Sequence, residues 1–204
     1  MDASAKSLVA ICHQLYQRGL VSGSGGNVSL RVEDGFLITP AGLSLGSLTE
    51  NQLARVDLTG RALFKGRPSK ESPMHLAIYQ AREDVKAIVH THSPHATALT
   101  CLLGPGWYIP PYTPGYAYLV RHLPLVPYHR PGSQALADAI RKEASLTNGL
   151  LLQNHGVVAL GTSLAEALSV AEEIEDNCRI YLLTQGQARS LSSAEVEEIR
   201  KVMG

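Results

Sequence analysis

Cysteine is scarce in this chain, and what little there is excludes a disulfide framework. Cys12, Cys101 and Cys178 are far apart, odd in number and form no C-x-x-C pair. Each sits among apolar neighbours, the setting of reduced, buried thiols in a cytoplasmic protein. Net charge is lacking too. The 18 Lys and Arg balance 18 Asp and Glu, which removes the electrostatic case for nucleic acid or an anionic membrane as a partner. No stretch approaches the ~18 consecutive apolar residues of a membrane span. The first residues, with Asp2 and Lys6 around a helical pattern, do not read as a signal peptide. Internal repeats, linkers and low-complexity segments are absent. With 45% hydrophobic and 18% charged residues over 204 positions, the chain can fill one core without staples, and one domain spanning 1–204 is expected.

The pattern of elements mixes hairpins with helices. Leu8, Ile11, Cys12 and Leu15 fall at helical spacing and stop at Gly19. SGSGGNVSLRV is a glycine-rich turn entering an alternating strand, and GFLITP (35–40) is its hairpin partner across Glu33-Asp34-Gly35. Asp57-Leu58-Thr59-Gly60 marks another hairpin turn. In SPMHLAIYQAR, Ser72 is expected to cap a helix with Pro73 at its first position. PHATALTCLL follows as a helix, WYIPPYTPGYAYLV is too dense in Pro and Tyr to assign, and PLVPY (124–128) is a short strand. Ser133 caps a helix expected to run through Ile140. GLLLQNHG reads as an apolar strand and VVAL continues after it. A long helix from Leu164 to about Thr184 starts in a capping box of Ser163 and Glu166, and Ser192 with Glu195 repeats the box before a short final helix. Without regular βαβ alternation, this order predicts an α/β fold of the α+β type, a central mainly antiparallel sheet flanked by helices.

What stands out is HTHSPH, residues 90–95, which holds three of the chain's eight histidines. The run Ala87 to Val89 before it is a buried strand, and residues two apart on a strand point to one face. His90 and His92 therefore project side by side and can take two positions on a tetrahedral zinc. His155 ends a second apolar strand, with Gly156 behind it allowing close backbone approach. Two strand-borne histidines and a distant third make a three-histidine site with an open position, the catalytic rather than the structural arrangement. H-x-H alone is a weak signal, and spacing by itself does not decide the matter. His13, His75, His95, His122 and His129 suit packing, capping or loops instead.

GSGGNVS, ITPAG, PSKESPMH, VHTHSPHA and NHG occur in that order along the chain. Together they resemble the class II aldolase/adducin family of zinc-dependent sugar-phosphate aldolases and epimerases. The resemblance implies His90, His92 and His155 as ligands of a zinc ion (Zn2+), and Glu71 of the S-x-E motif as catalytic acid/base. Manganese (Mn2+) or cobalt (Co2+) fits the same ligands. The epimerase branch carries Asp where Glu71 stands, which counts against epimerisation. The resemblance further implies phosphate binding at three loops, through Gly26, Asn27, Ala41, Gly42, Ser69 and Lys70. A helix N-terminus after Ser69 and Lys70 favours an anion independently, although plain turns and a solvated lysine would give the same residues. A tyrosine supplied by the neighbouring subunit is the proton donor in the aldolases. Tyr112 is the candidate here, and aromatic packing at an interface explains it equally well.

Zinc with an open position can chelate adjacent hydroxyl and carbonyl oxygens and stabilise an enediolate. That chemistry serves cleavage of a carbon–carbon bond and loss of carbon dioxide from a β-keto acid alike. PSKE, LSLGSL (43–48), PLVPYHRPGS and EEIEDNCRIYLL look most similar to the 3-oxo-tetronate 4-phosphate decarboxylase branch, which releases carbon dioxide to give dihydroxyacetone phosphate. Gly115 and Leu119 depart from that branch, where a tyrosine and an arginine stand. The alternatives are a fuculose-phosphate-type aldolase and a non-catalytic sugar-phosphate or protein-interaction module. Three retained histidines beside Glu71 argue against the module. The resemblance also implies a cyclic homotetramer with active sites at its interfaces, acting on a small phosphorylated sugar or sugar acid in the cytoplasm.

Overall fold

The structure, a computed structural model, describes residues 3–63, 66–104, 106–120 and 122–203. Asp2 and the outermost ends of the expected domain lie outside the described residues. One sheet runs through the fold, built from β1 (Asn27–Val32), β2 (Gly35–Ile38), β3 (Ala54–Val56), β4 (Ala87–Thr91), β5 (Leu125–Val126), β6 (Gly149–Leu152) and β7 (Gly156–Gly161). The strand order is β3-β2-β1-β4-β7-β6-β5. Every neighbouring pair is antiparallel except β5 and β6, as the mixture of hairpins and helices predicts.

Helices cover both faces, and this explains the unbroken apolar runs in the middle strands. All five residues of β4 and all six of β7 are buried, the pattern of strands packed on two sides. Ala87 and Val89 join a core with α1 (Ala3–Gln17), α3 (Pro94–Leu102) and α6 (Leu164–Leu183). Ile88 faces the opposite core, with α2 (Ser72–Ala81) and α5 (Gln134–Ala144). By strand alternation His90 points with Ile88, toward the layer that α2 covers. Glu71 stands at the start of that helix.

Several boundaries differ from the sequence pattern. Helix α2 begins at Ser72, so Glu71 rather than Ser72 occupies the N-cap and Pro73 is the second helical residue. The Glu71 carbonyl accepts the first helical bond, from Met74 at 3.0 Å, while its side chain makes no cap and is left for other use. Helix α5 continues to Ala144 because its apolar stripe does, through Ile140 and Ala144. The Pro- and Tyr-rich segment contains a short helix, α4 (Pro114–Leu119), capped by Thr113 Oγ1 accepting from the Tyr116 N–H. Glu166 reaches back one residue beyond a standard capping box, accepting from the Thr162 N–H at 2.7 Å while Ser163 caps the helix. Ser192 and Glu195 close a reciprocal box before α7 (Ser193–Met203). Cys101 corrects an expectation. Cys12 and Cys178 are buried, but Cys101 is exposed, two positions beyond inward-facing Leu99 and so turned to the far side of α3. Among the described residues no helix is long and apolar enough to cross a membrane.

Candidate functional site

Three histidines meet at the end of the central strands. His90 is fully buried on β4, and His92 follows just past the strand end. His155 sits not at a strand end but inside the three-residue turn joining β6 to β7, after Asn154 in a left-handed conformation (φ 54°). Ring centroids lie 4.9 Å apart for His90–His92, 4.8 Å for His90–His155 and 4.9 Å for His92–His155, a nearly equilateral triangle. His90 Nε2 is 3.1 Å from His92 Nε2. Glu71 closes the fourth side, with Oε2 at 3.1 Å from His90 Nε2 and Oε1 at 3.3 Å from His155 Nε2. The ligand atoms of all four residues lie within 4.8 Å of one another.

This donor set fits a divalent transition metal. Nδ1 of His90 is 2.7 Å from the Val157 carbonyl; a carbonyl only accepts, so Nδ1 carries the proton and Nε2 turns a lone pair toward the cluster. Partial desolvation and the neighbouring His90 push His92 and His155 down to about 4, which keeps both as neutral donors at pH 7. Burial opposes charge on His90 too, yet the Glu71 carboxylate draws its pKa upward, so the carboxylate favours a cation on the Nε2 lone pair. Burial disfavours the Glu71 carboxylate, but His90, His155 and the Asn27 amide override it and hold it well below the usual range. Oε1 of Glu71 is nonetheless buried with no hydrogen-bond partner.

Close approach of the strands depends on two glycines. Gly26, at φ +75°, has no room for a side chain, since a Cβ would lie 2.7 Å from the His90 carbonyl and 2.8 Å from Val21. A Cβ on Gly156 would overlap the Thr91 carbonyl between His90 and His92 and meet the His92 ring at 3.2 Å. Gly156→Ala is therefore expected to force the β6–β7 turn away from β4. Overpacking of this kind costs about 1–3 kcal/mol, which in a chain of this size lowers Tm by roughly 3–10 °C. An unchanged Tm in thermal unfolding would mean that the turn yields freely.

A cavity of about 470 Å³ opens beside the histidines, walled by Glu71, His92 and His155 at one end. All six residues of the three loops, Gly26, Asn27, Ala41, Gly42, Ser69 and Lys70, line it. The structure narrows what each can offer. The Ala41 N–H is spent on the Arg67 carbonyl and the Ser69 N–H on the Thr39 carbonyl, so Ala41 contributes shape only. Ser69 Oγ accepts from the Glu71 N–H and keeps its own proton to donate. Asn27 directs its amide to Glu71 at 2.9 Å. Tyr112 does not line this cavity; it packs half-buried against the α1/α6 core, and its Oη is buried without a partner.

Two residues that the sequence pattern passed over belong to the surroundings of the site. Arg67 lines the cavity beside Lys70. His75 is fully buried and binds Asn27 Oδ1 at 2.5 Å. The signal for His75 was its place four residues after Glu71, on the same helical face. His95 is occupied elsewhere, donating to Glu175 at 2.7 Å, and His13 meets the Leu48 carbonyl at 2.9 Å.

Comparison with known proteins agrees with this geometry. A Haemophilus influenzae protein named 3-oxo-tetronate 4-phosphate decarboxylase is 39% identical over 201 residues, 97% of this chain and 96% of its own length. A Methanocaldococcus jannaschii protein named L-fuculose phosphate aldolase is 38% identical over 178 residues, covering 87% of this chain and 95% of that one. The crystal structure of YgbL from Klebsiella pneumoniae superposes with a TM-score of 0.91 at 39% identity, over 97% of each chain. Residues 6–182 match the Class II Aldolase and Adducin N-terminal domain, and the chain belongs to that family.

Proposed function

We propose that the chain is a metal-dependent carbon–carbon lyase acting on a short phosphorylated sugar acid, converting a 3-oxo-tetronate 4-phosphate into dihydroxyacetone phosphate and carbon dioxide. One observation carries this: Glu71 converges with three imidazoles at one end of a cavity whose other walls are the three loops. His90, His92 and His155 would hold zinc, or manganese or cobalt in its place. The ion supplies Lewis acidity toward hydroxyl and carbonyl oxygens.

The chain's own residues do the rest. Asn27 fixes Glu71 Oε2, so the unpartnered Oε1 is the atom that gives and takes the proton. As the bond between C1 and C2 breaks, its electron pair stays with C2 and carbon dioxide leaves. Glu71 is ionised at rest, so Oε1 relays a solvent proton to C2, which completes the new C2–H bond and leaves the carboxylate as it began. Ser69 Oγ and Lys70 hold the phosphate, with Gly26 and Gly42 giving clearance.

Arg67 and Lys70 both line the cavity, and neither has an acidic partner among the described residues. Two unpaired cations suit a substrate with an anion at each end, which favours the decarboxylase. Gly115 and Leu119 support the second reading, an aldolase giving dihydroxyacetone phosphate and an aldehyde. Gly115 is closed against the Glu173 carboxylate and offers the cavity nothing. The deciding assay supplies the metal-loaded protein with 3-oxo-tetronate 4-phosphate, or with dihydroxyacetone phosphate and short aldehydes. Carbon dioxide release above the unaided decay of the β-keto acid supports the first reading; condensation without release moves the protein to the aldolases. Arg67→Ala is expected to raise KM for the carboxylated substrate roughly tenfold, the loss of one charged hydrogen bond, and to leave KM for dihydroxyacetone phosphate unchanged. An equal rise for both would assign Arg67 to the phosphate instead.

The proposal extends to one domain over 1–204, a cytoplasmic setting and a cyclic homotetramer. His92 is exposed at the cavity mouth, leaving that side open to a second copy. Tyr112 lies outside the cavity of its own chain, so as a proton donor it would serve a neighbouring copy's site.

A further inference from the structure

Behind Glu71 a line of buried polar side chains runs into the protein interior. Glu71, His75 and Tyr79 recur every fourth residue from the start of α2, and Asn27, Ser29 and Arg31 recur every second residue on β1. The two stripes face each other. His75 Nε2 lies 2.5 Å from Asn27 Oδ1, Ser29 Oγ lies 2.7 Å from His75 Nδ1, and Tyr79 Oη lies 2.7 Å from Ser29 Oγ. Ser29 and His75 are fully buried, and Tyr79 is 1% exposed.

Only one arrangement of protons satisfies this line. An ionised carboxylate accepts and cannot donate, so Asn27 must present its N–H to Glu71 Oε2, which turns Oδ1 toward His75. That oxygen also only accepts, so His75 Nε2 carries a proton. Burial drives the imidazole down to about 3, leaving it neutral with that single proton. Nδ1 is then a lone pair and accepts from the Ser29 hydroxyl. Ser29, its proton spent, accepts from Tyr79 at 2.7 Å, a shorter approach than that of the Tyr79 hydroxyl to the Lys86 carbonyl at 3.5 Å. Every donor in the sequence points one step closer to Glu71.

We propose that His75 is a positioning residue: held as the Nε2–H tautomer by Ser29 and Tyr79, it locks the Asn27 amide with its N–H on Glu71 Oε2 and so reserves Oε1 for proton transfer. This rests on Glu71 being the acid/base of the proposed lyase. An amide left unlocked could turn its carbonyl toward the carboxylate, and the two oxygens of Glu71 would lose their separate roles.

Two measurements test it, one without substrate. Nitrogen-15 NMR of the imidazole rings, assigned by comparison with His75→Gln, is expected to show His75 Nε2 protonated and Nδ1 bare in both metal-loaded and metal-stripped protein. A dominant Nδ1–H tautomer would overturn the proposal. In the lyase assay, His75→Met is expected to lower kcat roughly ten- to hundredfold, the usual range for a partner that orients a site residue, with KM and bound metal unchanged. His75→Gln, whose amide can donate to Asn27 and accept from Ser29, is expected to recover kcat to within a few-fold of the native protein. Full activity of His75→Met, or equal impairment of both variants, would overturn the proposal. Should His75→Met not fold, Ser29→Ala deletes a single oxygen: kcat falling about fivefold at constant KM supports the proposal, and unchanged kcat overturns it. A protein inactive on every substrate but showing the Nε2–H tautomer would sink the lyase reading and leave the orientation of Asn27 standing. An active protein with the opposite tautomer would do the reverse.

Discussion

Glu71→Gln is expected to cut carbon dioxide release by roughly 10²- to 10⁴-fold, the range that a positioned acid/base contributes. Glutamine keeps the size of the side chain and can still accept from Asn27 through its carbonyl oxygen. What it cannot do is carry a transferable proton where Oε1 now stands. Three imidazoles remain to bind the metal, so the variant should still hold it, and rates are to be compared at equal occupancy. The unaided decay of a β-keto acid sets the floor of the assay, and the variant should fall close to it. Activity within a few-fold of the native protein would remove Glu71 from the chemistry and leave only a role in shaping the metal cluster.

His155→Ala is expected to abolish stoichiometric metal binding. The near-equal spacing of the three rings means that no ligand is peripheral, and removing the turn-borne one leaves only the His90/His92 edge with Glu71. Metal content after desalting should fall from about one ion per chain to background, with activity falling alongside. Stability supplies a second readout. An ion bound at a hundred times its Kd stabilises the fold by about 2.7 kcal/mol, or roughly 5–10 °C for a chain of this length. Chelator should lower Tm of the native protein by that amount and leave His155→Ala unmoved. Unchanged metal content in the variant would undermine the decarboxylase and the aldolase together.

Much of this site was legible because strands are simple. H-x-H on a buried apolar run can only place two imidazoles side by side, and the antiparallel pairing of β4 with β7 brings the NHG turn to the same end. The loops that wall the cavity were legible as turns, but their hydrogen bonds were not. That the N–H groups of Ala41 and Ser69 are already taken depends on Arg67 and Thr39, partners that no local spacing announces. Cys101 was misplaced because apolar neighbours in sequence say nothing about which side of a helix a residue takes; the phase of Leu99 does. His75 was the larger omission. An isolated histidine early in a helix suggests ordinary packing, and its role emerges only when E-x-x-x-H-x-x-x-Y is set beside N-x-S-x-R. Helix α4 escaped because its start depends on Thr113 capping across Pro114 in a segment where three prolines obscure any period.

The polar line between α2 and β1 is a vernier between two rulers of nearly equal pitch. Four residues of helix advance about 6 Å and two residues of strand about 6.7 Å, so successive rungs stay within reach but drift by less than an ångström each. The drift limits how long such a ladder can be. Near Glu71 the rungs are hydrogen bonds of 2.5–2.9 Å. By the last rung the side chains no longer hydrogen-bond each other: the Arg31 guanidinium lies over the Tyr79 ring, 4.6 Å from its centre, and donates instead to the Tyr79 backbone carbonyl at 2.6 Å. An inserted or deleted residue between Glu71 and Tyr79 would turn the helical marks by about 100°, and one in β1 would send every strand mark to the opposite face. These two stretches should therefore be the least tolerant of length change in the chain, although neither Ser29 nor Tyr79 touches the cavity.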